Sequence, residues 1–246
     1  MPSKTKTRND ITARLVELPE KIFRYIQEKR LSQPDSTTAL ATLLKTEMEI
    51  SGLRPDKYPV TGFIAYLGLL TQWNKAYNLT AIRDHKKMIT HHIMDSLPVL
   101  PYLNGDRCLD VGTGAGLPGL ILALATPAKH WVLLDSNNKK IRFVNQVILE
   151  LNIQNVETVC SRVEEYNTDK LFSTIITRAF GRLNKFYHLT RHLLLPNGKL
   201  LAMKGNEISE ELAELDKNAM QVQVHNLHVP GANKQRTLLE IRSFPA

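Results

Sequence analysis

The sequence lacks most of the features that would place it outside the ordinary globular class. Only two cysteines occur in 246 residues, too few for a disulfide scaffold. No apolar run is long enough to span a bilayer, so no membrane partner is expected. Residues 1–8 are basic but have no apolar segment behind them, and are not read as a secretory signal. There is no internal repeat and no low-complexity tract. Cys108 and Cys160 both fall in apolar, strand-like runs. They are expected as buried free thiols, the state that a reducing cytoplasm maintains.

What is present is an excess of positive charge, +8 formally, on a chain that is 43% hydrophobic. That length and composition support one sizeable α/β core with an appendage. The basic balance favours a polyanionic partner, such as RNA, DNA or an anionic membrane face.

Three segments follow from the pattern of apolar residues. Residues 1–36 read as an extension, helical or disordered, with Ser32-Gln33-Pro34-Asp35-Ser36 as a linker. Residues 37–104 read as a small helical cap. One of its apolar stripes is Leu40, Leu43, Leu44, Met48 and Ile50. A second is Phe63, Ile64, Tyr66, Leu67, Leu70 and Trp73. A third runs from Asp84 through Met88, Ile89, Ile93 and Met94 to Leu97. From residue 105 the period changes. Strands are expected at 107–111, 130–135, 156–160, 172–177 and 199–203, with helices at 117–125, 139–151, 184–195 and 207–219. Such alternation predicts a parallel, doubly wound Rossmann-like sheet. Two closing strands, 221–228 and 236–242, are joined too closely to be parallel and should form an antiparallel hairpin. This combination resembles the Class I methyltransferase fold more than a dinucleotide-binding domain.

The strongest local signal is Asp110-Val111-Gly112-Thr113-Gly114-Ala115-Gly116-Leu117-Pro118-Gly119. It follows a strand and opens a helix, so its glycines suit a tight turn and close approach of a ligand to bare main chain. Asp135 ends the next strand, where a carboxylate can accept from ribose hydroxyls or cap the following helix. Both features fit a nucleoside cofactor without choosing among them. The glycine spacing also satisfies the dinucleotide pattern, which keeps an NAD-dependent oxidoreductase open at this point. A non-catalytic RNA-binding assembly protein is the other alternative.

Further segments select among these. They are Trp73-Asn74-Lys75-Ala76-Tyr77-Asn78-Leu79-Thr80, His92-Ile93-Met94-Asp95-Ser96, Leu134-Asp135-Ser136, Lys140-Ile141-Arg142-Phe143, Ser161-Arg162-Val163-Glu164-Glu165, Thr177-Arg178-Ala179-Phe180 and Met203-Lys204-Gly205. With the glycine loop, and in this order, they resemble the bacterial RsmG family, also called GidB. The resemblance covers residue 37 to the C-terminus. It implies an S-adenosylmethionine-dependent enzyme that methylates N7 of a guanine in 16S ribosomal RNA, in the decoding-region loop. Its partner would then be 16S rRNA or the small ribosomal subunit. The resemblance implies cofactor contacts at Gly112, Leu117, Val163, Glu164 and Arg178, to which the reading of the glycine loop adds Gly114 and that of the second strand's end Asp135. The family often has proline where this chain has Ala115, and usually arginine where His91 stands.

Guanine N7 carries an exposed lone pair and requires no general base, so no catalytic base is assigned. Arg178, Asn78 and Lys204 are the positioning candidates. Arg178 could hold the methionine carboxylate or a substrate phosphate, or form a salt bridge. Glu164 could accept from the adenine amine or simply start a helix in solvent. Trp73, Tyr77 and Asn78 could stack on the target base or pack the cap. Arg83, Arg162, Arg182, Lys185, Arg191 and Lys204 could form an RNA-facing surface. His91, His92 and Asp95 have helical spacing that mimics a metal site, but no further ligand cluster accompanies them and no metal is expected.

Overall fold

The structure is a computed structural model that describes residues 34–205, 208–215, 220–232 and 236–243. The chain divides into two compact units, Met1–Ala39 and Leu40–Ala246. Of the first, residues 34–39 are described, and they are helical. The expected extension therefore lies outside the described residues, except for its last three positions. Residues 34–36 are helix rather than linker. Proline suits the first helical turn, where its missing N–H has no intrahelical partner to lose.

Helix α1 is Pro34–Ile50 and α2 is Val60–Tyr77. In α1 the buried positions are Leu44 and Met48, while Ile50 is exposed. Two residues turn a helix by about 200°, so Ile50 faces away from Met48. In α2 all six expected apolar positions are buried. Next, α3 spans His85–Met88 and passes directly into a π-helical turn, Ile89–Met94. A tight 3-10 segment, Leu97–Tyr102, follows. The single helix expected over 84–97 is thus three kinds of helix in series. Apolar spacing marks which residues are buried but not the extra residue that a π turn inserts.

The sheet has seven strands in the order β3-β2-β1-β4-β5-β7-β6. β1 is Arg107–Val111, β2 His130–Asp135, β3 Val156–Cys160, β4 Phe172–Arg178 and β5 Leu194–Lys204. These five are parallel. β6, Met220–Leu227, and β7, Arg236–Ser243, are antiparallel to each other, and β7 runs antiparallel to β5. Helices α4 (Gly119–Ala125), α5 (Asn138–Glu150), α6 (Leu183–Thr190) and α7 (Ser209–Ala213) join the strands. This is the expected Rossmann-like methyltransferase sheet with its antiparallel hairpin.

The helix expected over 207–219 is found over Ser209–Ala213 of the described residues, and two boundaries before it also moved. The helix expected to 195 ends at Thr190, and Leu194 already belongs to β5. Pro196 disfavours helical dihedrals at Leu195. Cys108 is buried, as expected, but Cys160 is exposed. Its strand, β3, is one edge of the sheet, and none of its five residues is buried. An edge strand has one neighbour fewer to cover its side chains.

The cap residues lie against the helices of the sheet. Tyr66 meets Phe143 of α5 with ring centroids 6.2 Å apart, and Trp73 meets the same ring at 5.7 Å. Among the described residues, no helix is long and apolar enough to cross a membrane.

Candidate active site

The glycine loop leaves β1 under heavy local constraint. The N–H groups of Gly112 and Thr113 both donate to the Leu134 carbonyl, at 2.8 and 3.0 Å. Buried Asp110 accepts from Thr113 Oγ1 at 2.6 Å and from the Gly119 N–H at 2.9 Å, both on Oδ2. Its Oδ1 is buried without a partner among the described residues. Burial pushes the Asp110 carboxyl up to about 6, against the opposing pull of those two hydrogen bonds. From the cap side, the Tyr66 hydroxyl donates to the Ala115 carbonyl at 2.8 Å. The loop is therefore held on both flanks before any ligand arrives.

A cavity of about 180 Å³ opens over the C-terminal ends of β1, β2 and β3. Gly112, Asp135, Val163 and Glu164 all line it, together with Phe180 and Lys185. Gly114 meets this group through its N–H, which donates to Asp135 Oδ2 at 2.9 Å. Asp135 also accepts from the Asn137 N–H at 2.8 Å. The cap of α5 is Asn137 itself, whose side chain accepts from the Lys139 and Lys140 N–H groups. Leu117 is buried within the loop, joined to Pro118 by a cis peptide, and lines neither this cavity nor the next.

A second cavity, about 540 Å³, lies over the ends of β4 and β5 and the start of β7. Arg178 and Lys204 line it, with Lys87, His92, Asp95 and Arg236. Arg178 Nη1 donates to the His91 carbonyl at 3.1 Å and to Asp95 Oδ2 at 3.3 Å. Arg236 Nε donates to Asp95 Oδ1 at 2.5 Å. Lys204 is neutralised by Glu211, at 2.7 and 3.0 Å. Burial, and next the Arg178 charge, push His92 down to about 4, so its ring is neutral at pH 7. Its Nε2 lies 3.1 Å from Thr80 Oγ1. His92 and Asp95 are thereby engaged with Thr80 and two arginines rather than with each other. Among the described residues no three histidine, cysteine or acidic side chains gather as a metal site.

The structure separates the remaining candidates. Asn78 is exposed and ends α2 in a left-handed conformation, lining neither cavity. Trp73 is buried, stacked on Tyr77 at 5.3 Å, so its ring packs the cap. Arg162 and Lys185 line the smaller cavity, Arg182 pairs with Glu214, and Arg83 and Arg191 are exposed. Two residues of the larger cavity had no binding role in the sequence reading: Asp95, weighed there only for a metal site, and Arg236. The signal for Arg236 was topological. An antiparallel β7 must begin where β4 and β5 end, which delivers its first residue to the ligand-binding end of the sheet.

Successive residues of the turn after β4 line the two cavities. Arg178 and Ala179 line the larger one and Phe180 the smaller. Ala179 has φ +63°, a left-handed conformation that alanine adopts only under constraint.

A family model for rRNA small subunit methyltransferase G matches residues 60–239. The chain belongs to the rRNA small subunit methyltransferase G family. It is 45% identical over 206 residues to the Ribosomal RNA small subunit methyltransferase G of Chromohalobacter salexigens, covering 84% of this chain and 99% of that one. To the Pseudomonas aeruginosa protein of the same name it is 49% identical over 180 residues, covering 73% and 84%. The fold is also that of the DhpI–SAH complex, with a TM-score of 0.50 at 12% identity over 75% of this chain and 96% of that one. For a methyltransferase G member, the residues present fit S-adenosylmethionine. Gly112 and Gly114 turn with φ of +72° and +60°; Gly112 lines the smaller cavity, and the Gly114 N–H donates to Asp135 on its wall. Two carboxylates, Asp135 and Glu164, line that cavity, groups of the kind that accept from a nucleoside's hydroxyl and amino donors.

Proposed function

We propose that this protein transfers the methyl group of S-adenosylmethionine to N7 of a guanine in 16S rRNA, in the decoding-region loop of the small ribosomal subunit, in the cytoplasm. The observation that carries the reading is the pair of cavities sharing the Arg178–Phe180 turn. One has the donors and acceptors of a nucleoside site, and the other, three times larger, has a basic lining.

When bound, S-adenosylmethionine supplies a methyl group on a sulfonium, with a neutral thioether as leaving group. The chain's residues bind and orient. Asp135 accepts from ribose hydroxyls while its Gly114 contact fixes it. Val163 and Glu164 hold the adenine, and Gly112 and Gly114 leave room for the nucleoside. Arg178 stands at the boundary between the cavities. N7 needs no deprotonation, so no residue is asked to act as a base. Holding nucleophile and electrophile in line can supply roughly 7–11 kcal/mol of the barrier reduction. The target base must leave its stack to enter a cavity of this kind. Neutral His92 adds no charge beside a purine that becomes cationic on methylation.

The test is incubation with methyl-labelled S-adenosylmethionine and 16S rRNA at each assembly stage, from bare RNA to mature subunit. The expected product is 7-methylguanosine at one position in the decoding-region loop. Absence of label at every stage would overturn the reading.

A further inference from the structure

The larger cavity holds one buried carboxylate between two arginines. Asp95 is 3% exposed, and each of its oxygens takes a different guanidinium, Arg178 on Oδ2 and Arg236 on Oδ1. One arginine is enough to neutralise one aspartate. The second leaves an uncompensated positive charge on the cavity wall, to which Lys87 adds and Lys204, paired with Glu211, does not. Each arginine side chain remains about a quarter exposed, 25% and 26%. Among the described residues, Arg236 is bonded only through Nε. Its two terminal nitrogens remain as a fork, the geometry that recognises a phosphate through paired hydrogen bonds.

We propose that Asp95 is a positioning residue that fixes Arg178 and Arg236 as a two-pronged anion clamp, and that Arg236 takes a phosphodiester of the substrate RNA. The inference rests on the methyl-transfer reading for its substrate class. Sheet order decides between RNA phosphate and the cofactor's carboxylate as the anion for Arg236. The glycine loop follows β1, and Arg178 is on β4, its immediate neighbour. Arg236 is on β7, three inter-strand steps from β1, or about 14 Å. It enters the cavity from the side away from the cofactor cradle. The π-helical turn supports the arrangement. Its shifted backbone pairing coincides with a His91 carbonyl that accepts from Arg178.

The experiment compares wild type, Arg236→Ala, Arg236→Lys and Asp95→Asn as full chains. Thermal unfolding checks the fold, and calorimetry gives the S-adenosylmethionine Kd. Binding to protein-free 16S rRNA is measured across a salt series, and methylation kinetics give KM and kcat. For Arg236→Ala the expected results are about tenfold weaker RNA binding and a log–log salt slope reduced by about one, with cofactor Kd unchanged within about twofold. Arg236→Lys should restore the salt slope but not the full affinity, because lysine cannot bind in the forked geometry. Asp95→Asn should lower kcat without reducing the salt slope. Simple removal of a negative charge would instead tighten RNA and leave kcat alone, and that result overturns the positioning role. Wild-type RNA affinity and slope in Arg236→Ala overturn the clamp. So does a weakened cofactor Kd with RNA binding intact, which assigns the anion to the cofactor. If Arg236→Ala fails to fold, the loss of affinity at preserved slope in Arg236→Lys decides the same point. RNA binding is read without turnover. A wild-type protein with an Arg236-dependent slope and no methyl transfer therefore supports the clamp while overturning the methyl-transfer reading.

Discussion

Gly114 and Gly119 belong to one loop but require glycine for different reasons. A Cβ on Gly119 would lie 2.3 Å from Leu133 Cδ2 and 2.6 Å from Asp110 Oδ2, so Gly119→Ala should destabilise the fold by about 1–3 kcal/mol, read by urea unfolding. A Cβ on Gly114 meets nothing in the chain closer than 3.9 Å, but its φ is +60° and its N–H fixes Asp135. Gly114→Val should keep a native circular dichroism spectrum and weaken S-adenosylmethionine at least tenfold, about 1.4 kcal/mol. Retained affinity in that variant would remove the loop from the site. Asp110 adds a pH dependence. Its carboxyl titrates near 6 when folded, above its ordinary 3.8, so the folded state holds the proton more tightly. The stability difference between wild type and Asp110→Asn should therefore fall as pH rises from about 4 to about 6 and stay flat above. Urea titrations across that window measure it. At this scale the turn of the glycine loop, and the placing of Gly112, Asp135, Val163 and Glu164 at strand ends around one cavity, were legible, because short motifs fix backbone conformation locally. Asp95 as a hub was not legible, since its partner Arg236 stands 141 residues away.

The terminal hairpin is secured to the parallel sheet by charge as well as by backbone pairing. Glu240 on β7 is buried and reaches Lys199 on β5 at 3.3 Å and Arg242 at 2.9 Å. Glu240→Ala strands the buried Lys199 ammonium and should cost about 3–5 kcal/mol in urea unfolding. The double replacement Glu240→Leu with Lys199→Met should cost much less than the two single losses combined, because no charge is left unpaired. Equal losses in the single and double variants would show that the pair is not coupled. The first three strands were readable to the residue, since each is a short run closed by glycine or serine. The π-helical turn and the early start of β5 were not. The former changes backbone pairing without changing which residues are apolar. The latter depends on Leu194 finding Phe172 across the sheet.

At the scale of the whole molecule, ligand linkage separates the two cofactor classes that the glycine spacing leaves open. S-adenosylmethionine at about 100 times its Kd should add roughly 2.7 kcal/mol to stability and raise Tm, while NADH at the same concentration should not. A shift with NADH alone would reverse the assignment. The strand order, with β7 between β5 and β6, already differs from the dinucleotide-binding order. Composition, period and motif order were sufficient to determine the class of fold, the glycine cradle and the family resemblance. All three depend on interactions between neighbours in the chain, which local spacing records. Only the tertiary structure decided that Cys160 faces outward and that Trp73 serves the cap. It also decided that Arg178 lines the larger cavity, beside Asp95 and Arg236. Those outcomes depend on which strand lies at an edge and which chain ends converge on one face. Long-range packing settles both, and no local pattern encodes them.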